Sequence, residues 1–384
     1  MGNFSWYAPT RIVFGKGTIA EISHLIPEDS VVLMTYGGGS IRRNGVYDQV
    51  AAALSHHTWY EFGGIEPNPH YETCMKALEM VREKGVTFLL AVGGGSTLDG
   101  TKFIGAAHYH TATSDPWDIL ARGASVERML PIGCVMTLPA TGSEMNGNAV
   151  VTRESTREKL AFFSDLACPQ FSVLDPETTM SLPTRQTVNG IVDTFTHVSE
   201  QYMTDDGAPL QDRQAEAIYA VLLEEGPKIL KDPGSYECRA NLMWAATHGL
   251  NKLIACGVRE DWVTHMIGHE ITAFYGLDHG QTLAIVLPAI WEYRRSLKGR
   301  KLAQFAERLF GATGSVDSKI DAAISGTREF FESLGAKTRL SAYGVDAAEC
   351  AERIRERFNA RGVHFGEDGK ITGEDIPGIL TLSR

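Results

Sequence analysis

Long hydrophobic runs are missing from this sequence: no uninterrupted apolar stretch approaches the roughly 20 residues a helix needs to cross a bilayer, so no transmembrane helix is expected. The start, Met1-Gly-Asn-Phe-Ser-Trp-Tyr7, lacks a basic region followed by an apolar run, so no secretory signal is expected. Cysteine is sparse and scattered at Cys74, Cys134, Cys168, Cys238, Cys256 and Cys350, with no two at CxxC spacing. That argues against a soft, cysteine-rich metal site and reads as reduced thiols in a cytoplasmic protein. Basic residues are the minority, 36 Lys and Arg against 47 Asp and Glu, for a net charge of -11. Without a basic face to neutralise phosphates, no nucleic-acid partner is expected, and no membrane partner either. No internal repeat or low-complexity segment stands out.

What is present is apolar content for more than one core. The chain has 384 residues, 43% of them hydrophobic. A single core stops growing near about 250–300 residues, so two domains are expected. In the first half, short apolar runs end at glycine-rich turns: Arg11–Phe14 before Gly15, Val31–Met34 before Gly37, Phe88–Val92 before Gly93, and Ile132–Leu138 before Pro139. Runs that are apolar throughout, rather than alternating, suit strands buried on both faces of a parallel sheet. Helical patterns lie between them at 18–26, 46–56, 71–84 and 99–107. Strand, glycine turn and helix in repetition predict a Rossmann-like α/β domain over residues 1–182. After Leu182-Pro183 the pattern changes to long amphipathic stretches at 186–204, 211–230, 238–253, 262–275, 281–296 and 317–334, predicting an all-helical domain over 183–384. The junction of two such domains is a natural cleft for a ligand.

Three polar loops suggest a dinucleotide. Gly93-Gly94-Gly95-Ser96 follows a buried strand, with a helix expected to open at Asp99. Glycines admit a pyrophosphate close to the backbone, and a helix N-terminus supplies oriented N–H donors. Gly37-Gly38-Gly39-Ser40 follows another strand and precedes Arg42 and Arg43, with no Asp or Glu between Thr35 and Asn44. An acidic residue there would hold the ribose hydroxyl of NAD(H), so its absence beside two arginines favours NADP(H). Thr137-Leu-Pro-Ala-Thr141-Gly-Ser-Glu144 offers hydroxyls to a carboxamide or phosphate.

A second cluster suggests a metal. Asp193 and His197 share a helix face, as do His265 and His269, and His279 follows a helix end expected near Gly276. From spacing alone His265/His269 is the better chelate, although a chain turning back at the cap also brings His279 beside His265. Imidazole and carboxylate ligands suit Fe²⁺, Zn²⁺, Co²⁺ or Mn²⁺. Three imidazoles and one carboxylate leave a divalent ion near +1, still a good Lewis acid for an alkoxide or carbonyl oxygen.

In this order along one chain, Phe14-Gly-Lys-Gly17, Gly64-Ile-Glu-Pro-Asn-Pro69, Gly93–Asp99 with Lys102, Thr137–Glu144, His265-Met-Ile-Gly-His-Glu270 and Gly276-Leu-Asp-His-Gly280 resemble the iron-containing (group III) alcohol dehydrogenase family. Tyr36–Ser40 and Asp115-Pro-Trp117 look like its NADPH-dependent aldehyde reductase, or butanol dehydrogenase, branch. The resemblance implies metal ligands Asp193, His197, His265 and His279, with Fe²⁺ or Zn²⁺ bound. It implies catalytic roles for Asp193, His265 and His269, the last as a proton relay rather than a ligand. It also implies cofactor contacts from Asn68, Gly94, Gly95, Ser96, Asp99, Thr137, Thr141 and Lys159, besides Gly37–Ser40. Gly38 stands where NAD-preferring members carry Asp, and Asp278 departs from the family's Pro-His-Gly. The implied activity is hydride transfer between NADP(H) and small aliphatic alcohols or aldehydes by a homodimer. A polyol(-phosphate) dehydrogenase or dehydroquinate-synthase-like lyase is the alternative. Such an enzyme needs basic groups around the metal, where only Arg259 and Lys252 offer themselves.

Overall fold

The computed structural model describes residues 1–204 and 207–384, which divide into two compact units. One comprises Tyr7–Leu182 with Gly234–Asn251. Its strands are β1 (Arg11–Phe14), β2 (Val31–Tyr36), β3 (Thr58–Phe62), β4 (Phe88–Gly94), β5 (Ile132–Leu138), β6 (Asn148–Arg153), β7 (Glu158–Phe163) and β8 (Phe171–Leu174). Six of them form one parallel sheet in the order β1-β8-β5-β4-β2-β3, while β6 and β7 pair as a separate antiparallel hairpin. Alternate residues of a strand feed opposite cores. Val32 and Met34 join Phe88, Leu90 and Val92 on one face, and Leu33 joins Leu89, Ala91 and Phe103 on the other. Both faces are buried, which is why these strands read as continuous apolar runs.

Two strands of the six-stranded sheet carry no such signature. Edge strand β3 contains Glu61, whose carboxylate serves the neighbouring strand's loop. In β8, buried Ser172 interrupts the apolar run, and its hydroxyl donates to the Glu144 carbonyl at 2.7 Å. The helix after β4 begins at Gly95, not at Asp99, and runs to His108.

The other unit comprises Met1–Trp6, Pro183–Pro233 and Lys252–Arg384. It is built from helices that include Thr184–Tyr202, Pro209–Lys231, Val263–Tyr275, His279–Tyr293, Arg295–Phe310, Val316–Ser333 and Ala347–Arg361. Phe195 anchors its core, with Tyr219, Phe331 and Phe305 rings at 4.6, 5.1 and 6.1 Å. No helix among the described residues is long and apolar enough to cross a membrane.

The units depart from a single cut after residue 182 in two places. Helix Tyr236–Gly249 lies with the α/β unit: Arg239 reaches Thr179, Thr247 bonds Glu144 Oε1 at 2.5 Å, and Trp244 packs edge-on to Phe14. Residues 1–6 lie with the helical unit, where the Gly2 amide donates to the Gly257 carbonyl at 2.8 Å.

Candidate metal centre and cofactor loops

Helix Thr184–Tyr202 presents Asp193, His197 and Glu200 at spacings of four and three, a single buried stripe. His265 comes from helix Val263–Tyr275, which ends at Gly276 in the left-handed conformation (φ 68°). His279 is the first residue of the next helix. Asp193 Oδ1 lies 3.5 Å from His197 Nδ1, 3.7 Å from His265 Nε2 and 3.7 Å from His279 Nε2. N–H···O bonds run about 2.7–3.2 Å, so these are not good hydrogen bonds. A tetrahedral ion with ligand bonds of about 2.1 Å sets neighbouring ligand atoms ~3.4 Å apart, close to what is seen. Asp193 Oδ1 and His265 Nε2 are buried with no hydrogen-bond partner among the described residues, a cost that a cation between them would remove. Geometry and donor chemistry both fit a divalent metal.

The far side of His265 is organised too. Glu200 Oε1 lies 3.2 Å from His265 Nδ1 and accepts the His265 backbone N–H at 3.1 Å. A carboxylate on the distal nitrogen fixes the ring and directs Nε2 at the metal position. Burial, helped by the Asp261 carboxylate, pushes the Glu200 carboxyl up, while His265 pulls it down. For His265 burial pushes the ring down, but Asp193 and Glu200 outweigh it and hold it above its ordinary range. Behind Glu200, Asp261 donates its amide to the Glu200 carbonyl at 2.8 Å. Asp261 also pairs with buried Lys298 at 2.5 Å, which reaches Glu367 at 3.0 Å. Burial pushes Lys298 down, yet these two carboxylates hold it above its ordinary range.

Of the two pairings left open by spacing, His265 meets His279, with ring centroids 5.3 Å apart, and stacks on His197 at 4.6 Å. His269 is turned edge-on to His265 at 6.4 Å and lies 5.1 Å from His279, beside the ligand cluster. Asp193, His197 and His265 offer ligand atoms that all lie within 4.8 Å of one another; neither His269 nor His279 belongs to that group, and His279 joins it through Asp193, its Nε2 lying 3.7 Å from Asp193 Oδ1. Trp262 packs on the metal-site imidazoles, 5.1 Å from His265 and 6.1 Å from His197. It sits at φ 65°, unusual for a bulky residue, with Lys252 (φ 67°) over its ring at 5.2 Å. Trp117 packs on Tyr71, Phe163 is exposed, and Phe274 and Tyr275 lie under Arg353.

In the α/β unit, none of Gly93, Gly94 and Gly95 has a positive φ. Close approach is what requires glycine: a Cβ at Gly93 would lie 2.4 Å from Thr97, and one at Gly95 2.5 Å from Thr141. The 14-residue helix that starts at Gly95 has no side-chain cap, and a helix start of this kind carries N–H groups that can serve an anion. Ser96 Oγ accepts the Asn68 amide at 3.2 Å, and Lys159 Nζ donates to Asn68 Oδ1 at 2.9 Å, so three expected cofactor residues form one chain of contacts.

Asp99 plays an internal part. Its carboxylate accepts from Ser143 Oγ at 2.7 Å and the Val150 amide at 3.0 Å, and burial pushes it up. It therefore tethers the Thr137–Glu144 loop and the β6 strand to this helix. Fully buried Lys102 shares that work, donating to Ser143 O and Oγ, Asn146 O and Asn148 O at 2.7–2.8 Å, while burial pushes its ammonium down.

The second glycine loop differs from its sequence reading. Arg42 donates through Nη2 to both Glu61 carboxylate oxygens at 2.7 and 2.8 Å and lies over Tyr47 at 3.9 Å. Its charge is balanced by an acid from the adjacent strand, leaving exposed Arg43 as the basic group there. Gly38 has open space around its Cβ position and an ordinary φ, so the fold itself does not demand glycine.

Residues 9–176 match the family model for iron-containing alcohol dehydrogenase, and residues 187–382 match the C-terminal model of the Fe-containing alcohol dehydrogenase family. The chain belongs to the iron-containing alcohol dehydrogenase family and is an oxidoreductase. It is 54% identical to the NADPH-dependent aldehyde reductase YqhD of Escherichia coli, over 97% of each chain. The NADP-dependent alcohol dehydrogenase 3 of Entamoeba histolytica is 42% identical over 96% of this chain and 97% of its own. The crystal structure of Escherichia coli YqhD superposes with a TM-score of 0.98 at 52% identity, covering 100% of this chain and 99% of that one. These relatives favour the dehydrogenase reading over the lyase and polyol-phosphate alternative.

Proposed function

We propose that the chain is a metal-dependent reductase of small aliphatic aldehydes that uses NADP(H) in preference to NAD(H). One observation carries the reading: a buried carboxylate oxygen with three imidazole nitrogens at 3.5–3.7 Å, the spacing of ligands around one ion. Asp193, His197, His265 and His279 would hold the metal, Fe²⁺ or Zn²⁺, and Glu200 would keep His265 correctly turned. When bound, the ion supplies a Lewis acid to the substrate oxygen and the nicotinamide supplies the hydride. With a single carboxylate among the four ligands, the site keeps a net positive charge for an oxygen that becomes negative. His269, its ring centroid 5.1 Å from that of His279, passes a proton to that oxygen, directly or through water. The uncapped helix start at Gly95, with Ser96, Asn68 and Lys159, binds the pyrophosphate, and Thr137 and Thr141 line the cofactor. Gly37, Gly38, Gly39 and Ser40 leave room for the 2′-phosphate beside Arg43, whereas an acidic side chain at Gly38 would repel it. Asp99 acts from behind this surface by holding the Thr137–Glu144 loop.

NADPH oxidation with butyraldehyde, before and after chelation and with Fe²⁺ or Zn²⁺ added back separately, tests the proposal. Metal-restored turnover that exceeds the NADH rate is expected. Full activity after complete metal removal would overturn the metal-centred reading. Equal rates with NADH would overturn the cofactor preference.

A further inference from the structure

We infer that Asp278 is a positioning residue that sets the fourth ligand, His279, by tying the start of its helix to the helix that carries Asp193 and His197; the inference rests on the metal reading above. His279 is the least buried of the four ligands, its side chain 21% exposed against 4–6% for Asp193, His197 and His265. Packing alone therefore confines it least, and something else must fix it 3.7 Å from Asp193. The residues on either side of it do so, and both touch Asn189. Asn189 Nδ2 donates to Asp278 Oδ2 at 2.8 Å. A Cβ at Gly280 would lie 2.7 Å from both Cα and O of Asn189, so backbone meets backbone there. Asn189 stands one helical turn before Asp193 on the same face. The fourth ligand is thus referenced to the first through a path of four residues.

Asp278 is well suited to this. It is the N-cap of helix His279–Tyr293, and its amide donates to Gln281 Oε1 at 3.0 Å, which sets the entry angle of the chain. Arg185 Nε lies 3.4 Å from Oδ2, but that side chain is 66% exposed and the pair adds little. The Asn189 bond is the specific one. A proline at this position would fix the chain through its ring; here an aspartate fixes it through a hydrogen bond to the opposing helix.

The test loads the full-length protein with Co²⁺ and follows its visible ligand-field bands and the rate of release to excess EDTA. The variants are Asp278→Ala, Asn189→Ala, the double variant, Asp278→Ser and Asp278→Asn. Removing partners that orient ligands costs about 10–100-fold in metal affinity. Asp278→Ala and Asn189→Ala should each speed release about tenfold with altered bands, and the double variant no more than either alone. Asp278→Ser can still cap the helix but stops short of Asn189, so it should behave like Asp278→Ala. Asp278→Asn keeps an acceptor for Asn189 and should stay near wild type. Metal-free Asp278→Ser, which keeps the cap, should melt close to the metal-free wild type. Wild-type release rates in Asp278→Ser would reduce the residue to a helix cap and overturn the inference. So would a lower metal-free melting temperature with unchanged release. Should Asp278→Ala fail to fold, Asn189→Ala breaks the same bond from the other side. A wild-type protein that does not take up Co²⁺ would instead overturn the metal reading itself.

Discussion

Glu200 allows a quantitative prediction, because its part in the metal centre is separable from ligation. Its Oε1 accepts one N–H from the His265 backbone and one from the ring. Only the ring bond feels a change of charge at Nε2. Hydrogen bonds to charged groups contribute about 1.5–3 kcal/mol and neutral ones about 0.5–1.5 kcal/mol. Glu200→Gln keeps the shape and loses the charge, so it gives up roughly 1–1.5 kcal/mol of that bond, about tenfold in the metal dissociation constant. Glu200→Ala loses the whole bond and should weaken binding by about 10–100-fold. Competition against a chelator of known affinity measures both, with metal-free melting as the control for folding. The ordering wild type, Gln, Ala is the signature. An Ala variant that binds metal as tightly as wild type would show that Glu200 does not act through His265, and the carboxylate–histidine–metal chain would have to be abandoned.

Three further outcomes are expected. Gly38→Asp has room for its side chain, so it should fold normally yet lower kcat/KM for NADPH on the order of 100-fold relative to NADH, since like charges brought together cost several kcal/mol; an unchanged cofactor ratio would place the 2′-phosphate elsewhere. Gly95→Ala drives a Cβ to 2.5 Å from Thr141 and should destabilise by about 1–3 kcal/mol in urea unfolding, with partial recovery in Gly95→Ala/Thr141→Ala; a wild-type midpoint for Gly95→Ala would refute the close-packing argument. Burial pushes His248 below its ordinary value, and its Nδ1 lies 3.2 Å from the Asn251 amide nitrogen. The unfolded chain therefore binds this proton more readily than the native one, so stability contributed here is lost as pH falls through about 6.5 and recovered as it rises. In chelated protein, His248→Gln should flatten the rise of melting temperature between about pH 5 and 7, and an identical slope would count against the assignment.

The sequence revealed most where a residue's partners are near it in the chain or where both faces of an element are buried. Strands β2, β4 and β5 read as apolar runs because the sheet is covered on both sides, and the cap at Gly276 falls where the helical pattern stops. Asp193 and His197 share a face by spacing alone. What spacing could not settle was which histidine joins His265. The i,i+4 rule favours His269, yet the angle between two helices brings His279 and His197 to it, and a crossing angle is not written in local sequence. Family resemblance supplied that choice. Glu200 was within reach, three residues beyond His197 on the same stripe, but a glutamate on a buried face has no local mark of its partner. Arg42 misled for the same reason: the acid that balances it sits on β3, nineteen positions away. Asp99 looked like a phosphate-loop residue by position, but its carboxylate turns inward to Ser143 and Val150. Helix Tyr236–Gly249 was assigned by its place in the chain to the wrong neighbours, since helical periodicity states which face is buried and not against what.

Lys102 is in effect a cation that the chain carries on its own tether. Its ammonium sits among backbone and hydroxyl oxygens as a potassium ion sits in an ionophore, and it knits the Thr137–Glu144 loop around itself. Such a cation cannot be competed away, chelated or diluted. Order in that loop is thereby settled when the chain folds, whatever salts surround it, whereas the site proposed at Asp193 would depend on the cell to deliver an ion.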